Sequence, residues 1–119
     1  MQNADVTFGN LEGVILNEGG TVKRCSDPSK CYAFRSPEKY AEHLFLAGFD
    51  LLSLANNHSG DFGLSGRRNT QKVLDSYQIK YAGLLSCPVA YFTKDSVTYG
   101  LAAFAPNSGT VDIRRIEAA

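Results

Sequence analysis

No apolar run in this sequence approaches the ~20 residues that a helix needs to cross a bilayer, so no membrane-spanning helix is legible in it. Basic clusters are equally sparse, the longest being the pairs Lys23-Arg24, Arg67-Arg68 and Arg114-Arg115. Twelve Lys and Arg balance twelve Asp and Glu. Nucleic acid and anionic membrane both need a concentrated positive face, so neither is expected as a partner of these residues. Met1-Gln2-Asn3-Ala4-Asp5 lacks the basic and apolar regions of a secretion signal, and no address is legible there. Cysteine is scarce too, with three in the chain. Cys25 and Cys31 flank a loop of Ser, Asp, Pro and Lys, where a disulfide ring would replace missing core contacts in an oxidising compartment. The rival reading is a pair of metal-ligating thiolates, although the spacing exceeds the usual knuckle and no second pair exists. Cys87, before Pro88, has no evident partner and reads as a half-buried, inert thiol.

What is present suits one domain. A chain of 119 residues buries roughly two thirds of the surface that its unfolded form exposes. With 44% hydrophobic and 20% charged residues, it requires neither a disordered nor a fibrous reading and should have a packed core. Asp5 to Gly9 alternates as a strand does and empties into Asn10-Leu11-Glu12-Gly13. Residues 17–30 form a long excursion without apolar period. Ser36-Pro37-Glu38 reads as a capped helix start, with Tyr40, Ala41, Leu44 and Phe45 on one face and Gly48 as the left-handed stop. Phe49 to Ala55 is nearly all apolar, as expected of a strand covered on both faces. A second helix over 65–77, with Val73, Leu74 and Tyr77 inward, and a strand over 79–82 complete a βαβ unit. Val89 to Thr93 and Val97 to Phe104 read as an antiparallel hairpin. Thr110 or Asp112 is a candidate cap for a last short helix. The expected class is α/β, a mixed sheet with flanking helices.

The strongest chemical signal is Asn56-Asn57-His58-Ser59-Gly60-Asp61-Phe62-Gly63, directly after the buried strand. Ligands of open α/β sheets collect outside the carboxyl ends of the strands, so amide, imidazole and carboxylate groups stand where chemistry is usually done. An asparagine oxygen ligates divalent metals, and a neighbouring histidine protonates a leaving group or steadies an anion. The competing reading is a turn in which Asn56, Asn57 and Asp61 bond backbone amides. Asn10 and Glu12 end the first strand in an equivalent position, and two such polar ends converge in a parallel sheet. By itself, their segment also reads as an Asx turn with a solvated glutamate. Arg35, just before a helix start, suits an anion grip or a structural salt bridge.

Phe8-Gly9-Asn10-Leu11-Glu12-Gly13, Phe34-Arg35-Ser36-Pro37 and Ala47 to Gly63 occur in the order found in the CapA or PgsA family of poly-gamma-glutamate capsule synthesis proteins, which the chain resembles down to Ala103-Phe104-Ala105-Pro106-Asn107. The resemblance implies the calcineurin-like metallophosphatase superfamily, a four-layer α/β/β/α sandwich and a divalent metal ion (Mn, Fe, Zn or Mg). It casts Asn57 as a metal ligand and His58 as the adjacent proton or charge carrier beside Asp61; Asn56, and Arg35 from its place before the helix start, are the expected substrate contacts. Asn10 takes the place of the bridging aspartate, with Glu12 close by. An amide brings no negative charge between two divalent ions, which Glu12 would have to restore.

The resemblance further implies a single partial domain over 1–119. The family's Asp-containing strand would precede Met1, and its histidine motifs would follow Ala119. His43, in mid-helix and facing solvent, does not replace them. The implied whole is an extracytoplasmic, membrane-anchored protein serving synthesis or export of an anionic polymer. Its expected partners are that polymer or a phosphoester substrate and capsule synthase components, with membrane contact only through segments outside this chain. The 119 residues alone are then expected to be inactive on phosphoesters. A non-catalytic module that binds polymer or a partner, and a phosphoesterase of another role, are the alternatives.

Overall fold

The computed structural model of the chain describes residues 3–115. In chain order its elements are β1 (Phe8–Asn10), β2 (Val14–Ile15), β3 (Arg35–Ser36), α1 (Ala41–Leu46), β4 (Leu51–Ser53), α2 (Gly63–Ser76), β5 (Lys80–Ala82), β6 (Val89–Lys94) and β7 (Val97–Ala102). Short 3₁₀ turns stand at Pro28–Lys30, Glu38–Tyr40 and Ile113–Arg115.

The apolar run after Gly48 supplies the central strand, β4, all of whose residues are buried. Because side chains alternate along a strand, Leu52 packs with Val73, Leu74 and Ile79 on one face, while Leu51 packs with Ala82 and Ala90 on the other. β4 pairs in parallel with β1 and β5, bringing Asn10, Ser53 and Ala82 level at the carboxyl ends. The expected βαβ unit is therefore β4, α2 and β5. The parallel and antiparallel pairings expected of one mixed sheet are divided among separate ladders: the β1-β4-β5 trio, a β2-β3 parallel pair and the β6-β7 hairpin. Gly83, at φ +108, turns the chain away after β5, and the hairpin joins by apolar packing of Ala90, Phe92 and Leu101 rather than by strand pairing. Asp95 and Ser96 close the hairpin with positive φ at both positions, as a two-residue primed turn requires.

The first helix departs from expectation. Ser36 is paired in β3 and caps nothing; the Asn17 side chain accepts the Glu38 N–H at 2.9 Å instead. Ala41 and Leu44 face the core, but Tyr40 and Phe45 are about half exposed. The 3₁₀ winding of residues 38–40 rotates Tyr40 off the α-helical stripe, and Phe45 sits at the rim beside Tyr77. Gly48 does adopt the left-handed stop, at φ +90. His43 is exposed. At the far end Asp112 accepts the Arg114 N–H and starts a 3₁₀ turn; the rest of the expected last helix lies outside the described residues.

The second helix holds β2 in place through polar groups. Thr70 Oγ1 accepts the Ile15 N–H at 3.0 Å, and Asn69 Nδ2 donates to the Ile15 carbonyl at 2.8 Å. Gly66 permits the approach, since a Cβ there would lie 2.9 Å from Phe62 Cβ and 3.1 Å from a Val14 methyl. Leu74, with no exposed surface, joins this helix to the sheet. Leu74→Ala should lower the unfolding free energy by about 2–5 kcal/mol. Urea unfolding checks this, and a loss below about 1 kcal/mol would mean that the helix–sheet seam is not the core described.

Candidate functional site

The site forms where β1 and β4 end side by side. The Leu11 N–H donates to Ser53 O at 3.0 Å, so the two chains leave the sheet together. Asn56 then ties them: its Nδ2 donates to Asn10 Oδ1 at 3.1 Å and to Leu11 O at 2.9 Å. Its Oδ1 accepts the N–H groups of His58 (3.0 Å) and Ser59 (2.9 Å). All four hydrogen-bonding positions of this buried amide are engaged inside the protein. Asn56 braces the turn, and the side chain that meets Asn10 is Asn56 rather than Asn57. Asn57 is exposed.

His58 and Asp61 are both buried, Asp61 completely. Asp61 Oδ2 accepts the Phe34 N–H at 2.7 Å and lies 2.8 Å from His58 Nδ1. A carboxylate only accepts, so this contact requires the proton on Nδ1 and leaves Nε2 to face outward. Nε2 lies 3.9 Å from Glu12 Oε1, whose side chain is half exposed. The two strand ends thus converge on one imidazole. The Phe34 ring packs against it at a centroid separation of 4.2 Å.

The other Asp61 oxygen, Oδ1, receives no well-directed hydrogen bond but meets the Lys23 ammonium at 2.6 Å. Lys23 Nζ also stands 3.4 Å from His58 Nδ1. A carboxylate removed from water is costly unless paired and hydrogen-bonded, and here a cation, an imidazole N–H and a backbone N–H share that role. The loop carrying Lys23 docks by backbone as well: the Thr21 N–H donates to Phe62 O and the Lys23 N–H to Asp61 O. Neither Lys23 nor Phe34 was singled out from the sequence. Lys23 sits in a loop without period, and only its basic charge next to Arg24 marked it.

Arg35 is exposed, with its guanidinium over the Phe62 ring at 5.0 Å. A cation–π contact, not the alternative salt bridge, holds it among the described residues. The candidate donors at these strand ends are Glu12, His58 Nε2 and the amide oxygens of Asn10 and of exposed Asn57. Asp61 is turned inward, Asn10 Oδ1 already accepts from Asn56, and no three His, Cys, Asp or Glu side chains group as a metal site among the described residues. The donor set of this chain alone does not fit a divalent ion. A separate groove, of about 730 Å³, opens at the opposite ends of the strands between Phe49, Asp50, Lys80 and Tyr91. It contains no imidazole, and its carboxylates bind the Thr7 N–H and the Tyr81 hydroxyl. The carboxyl ends therefore hold the candidate site, with its imidazole.

Fold and site define an α/β domain that keeps a buried His–Asp pair at the carboxyl ends of a parallel sheet. The family model of the bacterial capsule synthesis protein PGA_cap matches residues 1–111, and the chain belongs to that family. Two uncharacterized proteins of Sinorhizobium fredii, y4sH and y4uA, are each 37% identical to it over 87 residues, 71% of this chain and 18% of theirs. A capsule biosynthesis protein CapA of Bacillus anthracis is 31% identical over 83 residues, 70% of this chain and 20% of its own length. The chain thus spans about a fifth of the length of these curated relatives.

Cys25 and Cys31 are joined in a disulfide in the loop that carries Lys23. Cys87 is free and half-buried, its thiol pushed up by burial and by the charge of Asp75. Thiol titration of native protein purified without reductant should find one reactive group per chain, and three after reduction. Three in the native protein would remove the disulfide from the account.

Proposed function

We propose that this chain supplies one half of a cleft in a capsule-synthesis protein, in which His58 moves a proton during handling of an anionic polymer, poly-gamma-glutamate, or of a phosphoester. The observation that carries the reading is the imidazole held between two carboxylates, with Nδ1 at 2.8 Å from Asp61 and Nε2 at 3.9 Å from Glu12. A ring fixed at one nitrogen presents the other in a defined direction, which is what a general acid or base needs. Neutral, His58 offers a lone pair at Nε2; protonated, it offers Nε2–H. Exposed Asn57 and Arg35 are the contacts proposed for substrate. The family resemblance supports metallophosphatase-like chemistry in a four-layer sandwich, with a divalent ion supplying Lewis acidity. This chain's donors do not fit that ion by themselves, and no step here is routed through it.

The Cys25–Cys31 disulfide supports an oxidising, extracytoplasmic setting. No described helix is long and apolar enough to cross a membrane, and anchoring and synthase partners are assigned to the rest of the protein. A second reading, a non-catalytic polymer-binding module, is favoured by Arg35, an exposed cation without a carboxylate partner among the described residues.

The two readings separate by mutation at full length. His58 is buried, so its removal costs stability as well as chemistry. Glu12→Gln and Asn57→Ala change exposed groups and should alter unfolding by no more than about 0.5 kcal/mol. Glu12→Gln and His58→Gln should each cut capsule polymer output by about tenfold or more. If folded His58→Gln protein retains full output while Arg35→Ala loses it, the binding module is the correct reading.

A further inference from the structure

The charge of this chain is balanced in total but not along its length. Residues 23–35 hold four of its twelve basic side chains, Lys23, Arg24, Lys30 and Arg35, and one of its twelve acidic ones, Asp27. Two of these charges are committed locally. Lys23 meets buried Asp61, and Asp27 accepts the Ser29 N–H and hydroxyl at the start of the 3₁₀ turn. Arg24, Lys30 and Arg35 are exposed, and none of them is ion-paired with a carboxylate among the described residues, where the paired cations are Lys23, Arg114 and Arg115.

The backbone gathers these three cations. The Lys23 N–H donates to Asp61 O at 2.9 Å and the Phe34 N–H to Asp61 Oδ2 at 2.7 Å, so Arg24 and Arg35, one residue beyond each, leave from the same turn. The Cys25–Cys31 disulfide, with a Cα separation of 5.6 Å, closes the loop and returns Lys30 toward Arg24. The strap is thus seated on the turn that carries His58, against whose ring Phe34 packs. Glu12, the acid that would repel a carboxylate, lies at Nε2, while Lys23 of the strap lies at Nδ1.

A single exposed ion pair binds weakly and is screened by salt, so dispersed cations make a poor site for a small anion. A chain with a carboxylate on every unit engages them together, because the first contact raises the local concentration of the next charge. Three cations fall short of the continuous positive face that a nucleic acid requires.

We propose that residues 23–35 form a binding strap for a linear polycarboxylate, with Arg24 and Lys30 joining Arg35 as its contacts. The inference rests on the reading that the protein handles an anionic polymer, and it assigns that polymer's charges to the strap.

The test uses the full-length protein and an oligomer of γ-linked glutamate as probe, with free glutamate, inorganic phosphate and a single-stranded DNA oligonucleotide for comparison. Calorimetric titration at low and high salt follows binding, and thermal unfolding checks each variant. Arg24→Gln/Lys30→Gln should weaken oligomer binding about tenfold or more and flatten its salt dependence, with the unfolding temperature unchanged. Free glutamate and phosphate should bind far more weakly than the oligomer. Unchanged oligomer affinity in the double variant overturns the strap and leaves the polymer reading in place, whereas a wild-type protein that does not bind the oligomer overturns both. A lowered unfolding temperature would mean that Arg24 and Lys30 pair with other parts of the protein. Tighter binding of the oligonucleotide than of the oligomer would mean a nucleic-acid site, and either result also overturns the proposal.

Discussion

Everything around the candidate site is arranged to give partners to one carboxylate that has no exposed surface, that of Asp61. A charge in that position survives only with partners on both oxygens. One partner is His58, three residues earlier in the same turn; another is the Phe34 backbone, and the third is Lys23. These come from three separate stretches of sequence, so satisfying one side chain brings the long loop, the entry to β3 and the turn after β4 to a single point.

The neighbouring amide does for the strand ends what Asp61 does for the loops. Asn56 uses two donors on β1 and its continuation, and two acceptor positions on its own turn. The catalytic candidate therefore rests on two buried polar groups with different tasks. Asn56 fixes the backbone path, and Asp61 fixes the ring. Truncating either leaves unpaired partners in a dry environment, where each orphaned group costs about 1–3 kcal/mol.

The elements legible in the sequence were those with a local signature. The run Leu51-Leu52 between apolar neighbours announced a strand covered on both faces, and Val73-Leu74 announced the inward stripe of α2. The hairpin showed through its polar turn at Asp95-Ser96. What was hidden depended on distant partners. The two-residue strands β2 and β3 exist because Thr70 and Asn69 bind the Ile15 backbone, a dependence that no window of sequence contains. Tyr40 and Phe45 kept helical spacing yet remain exposed, because the winding and the rim of the fold overrule periodicity. Of the site, His58, Asp61, Asn10 and Glu12 could be picked from residue type and position, but that Asn56 rather than Asn57 would meet Asn10 could not. Lys23 was invisible for the same reason, since its meaning lies in a carboxylate 38 positions away in a chain whose loop carries no pattern.

The central claim is that Lys23 and Asp61 stabilise the folded site as a coupled pair rather than as two independent residues. A double-mutant cycle in urea unfolding, with Lys23→Gln, Asp61→Asn and both together, measures that coupling directly. A coupling of at least about 1 kcal/mol is predicted, with the double variant more stable than the Lys23→Gln single variant, which leaves the carboxylate unpaired. Additive effects, agreeing within about 0.5 kcal/mol, would contradict the account.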